Sequence, residues 1–298
     1  MVSMTLSNKS KTKPPHKWSF EALGTPWVIE THDLLTLELK AAITRRLREY
    51  DDTYSRFKAD SLVSQLSVPG TYNFPDDFKK LFEMYDLCYE LTDGQMTPLI
   101  GSMLEDAGYD KNYSLQPKEI QSIPELPKAI TWDGENTITS LEPVVFDIGA
   151  AGKGYAVDIV AELLEKNDTH DYIIDASGDI KHRSRTLERV GLEHPDDPSK
   201  VIGVANLYHQ SLCASASNRR IWPGFHHIMN PSTRRSVDHI VASWVIADNT
   251  LVADAMATAL FFVESPGRLM GAFSFSYVRM FTDGTVDYSA NFEGELFT

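Results

Sequence analysis

The chain has 298 residues, 42% of them hydrophobic and 23% charged, enough for one large domain or two modest ones with a sizeable core. Its formal net charge of −14 argues against nucleic acid as a partner, and any phosphate ligand would need a local lysine or metal ion to offset the field. Two cysteines, Cys88 and Cys213, form no disulfide framework, and no apolar run is long enough to insert in a membrane.

The opening segment "MVSMTLSNKSKTKPPHK" is polar and basic, with no signal-peptide core and no lipid-anchor cysteine. We expect a disordered arm over residues 1–17, a single domain over 18–298, and a cytoplasmic protein. "WSFEALGTPWVIET" alternates and predicts a hairpin around Gly24. Leu35, Leu39, Ala42, Ile43, Leu47 and Tyr50 recur at helical spacing, with Asp33 as N-cap. "YSRFKADSLVSQLS" reads as a loop and a short helix capped by Asp60 or Ser61. Pro75 and Gly94 bound a further helix with Phe78, Leu81, Phe82, Tyr85, Cys88 and Tyr89 inward. Residues 105–142 read as a surface excursion with short strands near Ile130–Trp132 and Thr137–Thr139. "PVVFDIG" predicts a buried strand, "AAGKGYAVDIVAELLEKN" a helix, and "DYIIDASGDI" a strand ending in a turn. Strands are expected over 187–212 and in "HIVASWVIADN", a buried helix in "TLVADAMATALFFV", and a final hairpin at Asp283–Gly284. Helices and strands mix without regular βαβ alternation, so the fold class is α+β.

"FDIGAAGKGYAVD", residues 146–158, has the layout of a phosphate-binding turn: an apolar segment, small residues with one lysine, then a helix. It is not a Walker A loop, because the first glycine of that pattern falls on Asp147 and Gly154 follows Lys153. It is not a dinucleotide fingerprint either, because Val157 holds the third glycine position after Gly152 and Gly154. A tight turn whose glycines only permit close packing explains the pattern equally well.

In "ADAMATA", Asp254 and Thr258 share one face of an apolar helix. A buried carboxylate needs a partner; with a hydroxyl and a backbone carbonyl it would suit Mg²⁺. The plainer account is a dipole-favoured Asp in the first turn, with Thr258 bonded to a carbonyl one turn back. Adjacent His226 and His227 would point to opposite faces of a strand, so they would not ligate one metal together. One could act as a base, or both could be polar strand-end residues. Asp175 and Asp179 flank a Ser-Gly turn and fit turn chemistry.

Taken in order, these segments resemble the ApbE family, the FAD:protein FMN transferases. "LGTPWVIE" is similar to that family's opening Met-Gly-Thr strand, and "SRFKADSLVSQLS" to its Tyr-x-x-Asp-Ser-x-x-Ser segment. "TDGQMTPLIGSML" resembles Thr-Asp-Gly-x-Phe-Asp-Pro-Thr-x-Gly-Pro, and "FDIGAAGKGYAVD" resembles Asp-Leu-Gly-Gly-x-Ala-Lys-Gly-Tyr-x-x-Asp. "ASGDI", "HHIMNPSTRRSV" and "ASWVIADNTLVADAMATALFFV" resemble the family's Gly-Gly-Asp, Ser-His-Ile-x-Asp-Pro-x-Thr-Gly-x-Pro and Ala-Asp-Ala-x-x-Thr blocks. The match runs from Leu23 to Val263.

The resemblance implies mixed sheets with flanking helices in two closely packed lobes and a flavin site between them. It implies Mg²⁺ held by the Ala150 carbonyl, Asp254 and Thr258. It implies FAD contacts from Leu23, Phe57, Gln95, Met96, Thr97, Lys153 and Thr233, with His227 as the base. The implied activity is Mg²⁺-dependent transfer of FMN from FAD to a Thr or Ser hydroxyl of an acceptor flavoprotein, releasing AMP. An FAD pyrophosphatase giving FMN and AMP, or a non-catalytic FAD-binding protein, are the alternatives. The sequence departs from the family pattern at several places, among them Leu23 for Met, Phe57 for Tyr, Thr97 for Asp, Asn230 for Asp and Arg234 for Gly. His226 falls on the family's serine.

Overall fold

A computed structural model describes residues 16–297. Most of the expected N-terminal arm, residues 1–15, lies outside the described residues. His16 and Lys17 are already paired with Thr31 and Glu30 in the first strand.

Eight strands pair in sequence order to make one sheet. They are β1 (His16–Ala22), β2 (Thr25–Thr31), β3 (Tyr172–Asp175), β4 (Ile180–Arg183), β5 (Ser211–Ala216), β6 (Ile240–Ala247), β7 (Phe275–Phe281) and β8 (Val286–Tyr288). Each neighbouring pair is antiparallel, so the sheet is a meander with the rest of the chain inserted into its connections. Helices α1 (Leu37–Tyr54), α2 (Phe78–Leu91) and α3 (Gly152–Lys166) lie between β2 and β3, and α4 (Thr250–Ala259) lies between β6 and β7.

The apolar run of β6 reflects burial on both faces. Val245 and Ala247, with Cys213 of β5, join the core beneath the helices. Ala242, Trp244 and Ile246 face the other way and pack with Val190, Leu192 and Ala205 of a three-stranded sheet (Glu188–His194, Asp197–Leu207, Gly294–Leu296). The two-residue period of the strands thus separates a helical layer from a β layer.

Several local expectations are corrected. α1 is capped by Thr36, whose hydroxyl accepts the Leu39 N–H at 3.1 Å; Asp33 lies too far upstream. The short helix Leu62–Gln65 is capped by Ser61. "PVVFDIG" enters no ladder, although Val144 and Phe146 are buried as expected. Its backbone bonds isolated partners: Val144 N–H to the Leu66 carbonyl and Asp147 N–H to the Pro98 carbonyl. The 105–142 excursion is not all surface. Ala107 and Tyr109 are buried against Trp222, whose indole N–H donates to the Ala107 carbonyl at 2.6 Å.

The strand registers place several predicted site residues at one end of the sheet. The β1–β2 turn, the β3–β4 turn at 176–179 and the C-terminal end of β5 all lie there. α4 leaves the opposite end and runs back, so Thr258 meets Ser215 (Oγ–Oγ1 3.1 Å) at that end. The insertion between β5 and β6, residues 217–239, emerges from the same end and carries His227.

Candidate active site

The first group of site residues sits where α3 meets α4. Gly154 allows this close approach: a Cβ there would lie 2.4 Å from the Thr250 carbonyl and 2.5 Å from the Asp254 Cβ. The Gly154 N–H donates to Asp254 Oδ2 at 2.8 Å. Asp254 therefore does not serve the N-terminus of its own helix. Asn249 and Asp158 do that, Asn249 accepting from Val252 N–H and Asp158 from Thr250 and Leu251 N–H. Asp254 is 6% exposed, and burial, with Asp179 adding, pushes its carboxyl well above the usual carboxylate range. Thr258 bonds Ser215 rather than a carbonyl one turn back.

Lys153, in the first turn of α3, donates to the Ala176 carbonyl at 2.9 Å and to the Asp179 carboxylate. Burial works against its charge, but Asp179 and Asp254 outweigh that and hold its pKa above the ordinary value. Asp179 is 1% exposed, so it is the buried counter-ion of Lys153 rather than a turn residue. Asp175 does serve the turn, accepting the Gly178 N–H at 2.9 Å. The Ala150 N–H donates to the Tyr85 hydroxyl.

The donor set fits a hard cation. A buried carboxylate with one oxygen already bonded resists ionisation where it stands, and Thr258 adds a hydroxyl oxygen on the same helix face. No cluster of three or more His, Cys, Asp or Glu occurs among the described residues, so a softer, nitrogen- or sulfur-rich metal centre has no support here.

The second group is built on the 217–239 insertion. Ile221–Trp222 and Phe225–His226 form a tight hairpin, and the His227 N–H donates to the Arg220 carbonyl at 3.2 Å. His226 is fully engaged: Nε2 lies 2.7 Å from the Val237 carbonyl and Nδ1 accepts the Ile228 N–H. His227 is half-buried and its Nδ1 has no partner among the described residues. Burial, reinforced by Arg220, lowers its pKa to about 3, so it is a neutral imidazole near pH 7. Gln95 reaches this region, its amide donating to Ser232 Oγ at 3.0 Å. Phe57 lies parallel to Tyr113 at 5.4 Å and edge-on to Tyr109, which stacks on Trp222.

The segment before α3 joins the two groups. Asp147 accepts the Gly149 N–H at 2.6 Å and binds Arg56, whose guanidinium also donates to the Tyr109 carbonyl. Of the four buried side-chain polar atoms without a partner among the described residues, three lie around this junction: Arg56 Nη1, Gln95 Oε1 and His227 Nδ1. Buried polar atoms are ordinarily bonded, so their concentration marks a place for a polar ligand. Two surface clefts, one lined by Gln210, Asp248, Ser276 and Asn291 and the other by Ile123, Lys128 and Glu142, contain none of these residues.

The sequence matches the ApbE family over residues 23–271. The chain belongs to the ApbE family. Among its relatives, an FAD:protein FMN transferase of Haemophilus influenzae is 26% identical over 72% of this chain and 69% of that protein. An FAD:protein FMN transferase of Escherichia coli K12 is 24% identical over 75% of this chain and 70% of that protein. The solved flavin transferase ApbE of Vibrio cholerae superposes with a TM-score of 0.77 at 19% identity, covering 94% of this chain and 97% of that one. The ApbE protein of Thermotoga maritima gives 0.80 at 21%, covering 93% and 97%. At such identities these two likenesses establish the ApbE fold, which agrees with the α+β expectation.

Against that family's pattern, these departures sit in defined local settings. Thr97 replaces one N-cap residue by another: its hydroxyl accepts the Leu99 N–H at 3.2 Å, and it is buried there beside Met96. Asn230 keeps the acceptor that an Asp would offer, taking the Ser232 and Thr233 N–H groups at 2.9 and 3.0 Å. Arg234 stands at φ +56°, a left-handed position that favours the family's glycine. Leu23 is likewise left-handed, at φ +52°, and makes a two-residue hairpin turn with Gly24 at +70°. Phe57 keeps an aromatic face, already matched by Tyr113.

Sequence reasoning passed over Asp158, Asp179, Arg56 and Arg220. Asp158 and Arg56 lie inside recognised motifs, and Asp179 resembles an ordinary turn residue. Their partners, Thr250, Asp147 and Lys153, are 92, 91 and 26 residues away in sequence, so no local pattern pairs them.

Proposed function

We propose that this chain transfers FMN from FAD to a Thr or Ser hydroxyl of an acceptor flavoprotein and releases AMP. Support comes from the named activity of its relatives. The observation that carries the reading in this molecule is the unpartnered Nδ1, among the described residues, of a neutral, half-buried His227 whose charge balance is set by burial, Arg220 and Asp147.

In this reading the acceptor oxygen attacks the FMN-side phosphorus of FAD. The phosphorus–oxygen bond to the AMP side breaks, AMP departs with the bridging oxygen, and the flavin remains on the acceptor through a phosphoester. His227 takes the hydroxyl proton: burial and Arg220 keep the ring neutral and so able to accept one, and the negative charge of a bound diphosphate would raise its basicity toward the working pH. The Ala150 carbonyl, Asp254 and Thr258 would hold Mg²⁺, which when bound supplies positive charge to the diphosphate. Of the three ammonium donors of Lys153, Asp179 and Ala176 occupy two, and the third is available to a phosphate oxygen. Leu23 and Phe57 would supply apolar contact to the flavin, and Gln95, Met96, Thr97 and Thr233 the wall opposite. No helix among the described residues is long and apolar enough to cross a membrane, and a cytoplasmic location belongs to the same proposal.

The test incubates the protein with FAD, Mg²⁺ and co-expressed candidate flavoproteins, then reads AMP and protein-bound flavin by mass spectrometry. A flavin adduct formed in step with AMP is the expected result. AMP without an adduct would instead indicate a pyrophosphatase, and intact FAD a binding protein.

A further inference from the structure

The diphosphate of FAD carries two negative charges, and the predicted cation, Lys153, is already neutralised by Asp179. Asp254 adds another potential negative charge nearby. A protein cation beside His227 is placed differently: its field reaches Asp254, but it forms no direct ion pair among the described residues. Arg220 is exposed and makes no ion pair among the described residues, whereas its neighbour Arg219 pairs with Glu193 at 3.3 Å. The Arg220 carbonyl accepts the His227 N–H at 3.2 Å, one position beyond the Ile221–His226 pair that ends the ladder. The Arg220 charge lies near enough to His227 to reinforce burial in lowering its pKa. The Arg220 guanidinium also lies 5.9 Å from the Tyr109 ring centroid, beside the aromatic group of Phe57, Tyr109 and Trp222.

We infer that Arg220 is the uncompensated cation that binds the FAD diphosphate, fixing it on the side of the hairpin that presents His227. The inference rests on the flavin-transfer reading and adds a binding residue to it. A planar guanidinium grips phosphate oxygens in a fork, and on a surface this acidic it supplies the local attraction a dianion needs. Its cation–π contact with Tyr109, at 5.9 Å from the ring centroid, leaves its charge in place, unlike a carboxylate partner. Arg234 is less well placed for this task, because its guanidinium is directed to the Ile120 carbonyl at 3.5 Å.

The experiment measures equilibrium binding of FAD and of riboflavin, which has no phosphate, by quenching of flavin fluorescence without acceptor. Wild-type protein is compared with Arg220→Ala and Arg220→Lys at several salt concentrations. Arg220→Ala should weaken FAD binding by about 10- to 100-fold and leave riboflavin binding unchanged. Its FAD affinity should also depend less on salt, and Arg220→Lys should restore part of the loss. Arg220→Ala that binds FAD as wild type does, with the same salt dependence, overturns the inference alone. Wild-type protein that binds no FAD overturns the functional reading and this inference together. Because Arg220 is exposed, the variants should keep the wild-type unfolding midpoint; equal loss of FAD and riboflavin binding would assign Arg220 a merely structural role and overturn the inference.

Discussion

The two halves of the candidate site are built in opposite ways. The half at the α3–α4 contact is buried and bonded within itself: Lys153 meets Asp179, Gly154 meets Asp254, and Thr258 meets Ser215. The half around the 217–239 insertion is open: among the described residues, His227 Nδ1 and Gln95 Oε1 lack hydrogen-bond partners and Arg220 forms no direct ion pair. Rigid, mutually supporting groups hold geometry, whereas unpaired ones are available to a ligand. In the proposed reaction the first half would position and neutralise the substrate, and the second would recognise it and take the proton.

The largest expected effect tests the first half. Asp254→Ala should reduce Mg²⁺-dependent AMP release and flavin transfer by about a thousandfold, the consequence of losing about 4 kcal/mol of charge stabilisation. Undiminished turnover would remove the metal assignment. Next is His227→Ala, expected to slow transfer by about 10²- to 10⁴-fold while FAD still binds. Loss of FAD affinity with kcat retained would make His227 a binding residue and blur the contrast between the halves.

Gly154→Ala should destabilise the fold by about 1–3 kcal/mol in denaturant titration, because its Cβ would collide with Thr250 and Asp254. A variant as stable as wild type would show that α3 and α4 can separate without cost. Leu23→Asn should stabilise the β1–β2 hairpin by about 1 kcal/mol, since Asn tolerates the left-handed conformation that Leu23 adopts. The same change should weaken FAD binding if Leu23 lies against the flavin.

A further effect concerns acid. The His227 pKa is lowered to about 3 in the folded protein, so between pH 6.5 and 3 the unfolded chain binds a proton that the native one does not. Stability from this residue is fully present above about pH 6.5 and falls as pH drops through that window. Burial lowers the pKa of His182 and of His226 as well, and they act in the same direction. A His227→Gln variant should lose stability less steeply on acidification; an unchanged slope would mean that His227 titrates normally.

Much of the fold was legible because local chemistry decided it. The turn at Leu23–Gly24, the helix beginning at Gly152 and the β6–α4 succession follow from alternation, glycine placement and helical periodicity. "PVVFDIG" misled because burial alone gives a strand-like pattern, while pairing requires a neighbouring strand that the fold does not place there. Asp33 lost its capping role to Thr36 for a similar reason: both are good caps, and the position of the first buried turn chose between them.

The sequence by itself determined the order of motifs, the α+β class, and the residue types assembled as candidate ligands and base. It also showed, at Thr97, Asn230 and Arg234, where this chain departs from its family. Only the tertiary structure decided which charges are neutralised and which are free. Lys153 and Arg220 are both cations near small residues in the sequence, yet one is tied to Asp179 and the other faces outward beside His227. Ion pairing depends on distances across segments far apart in the chain, set by strand register and helix packing, and no local pattern encodes those distances.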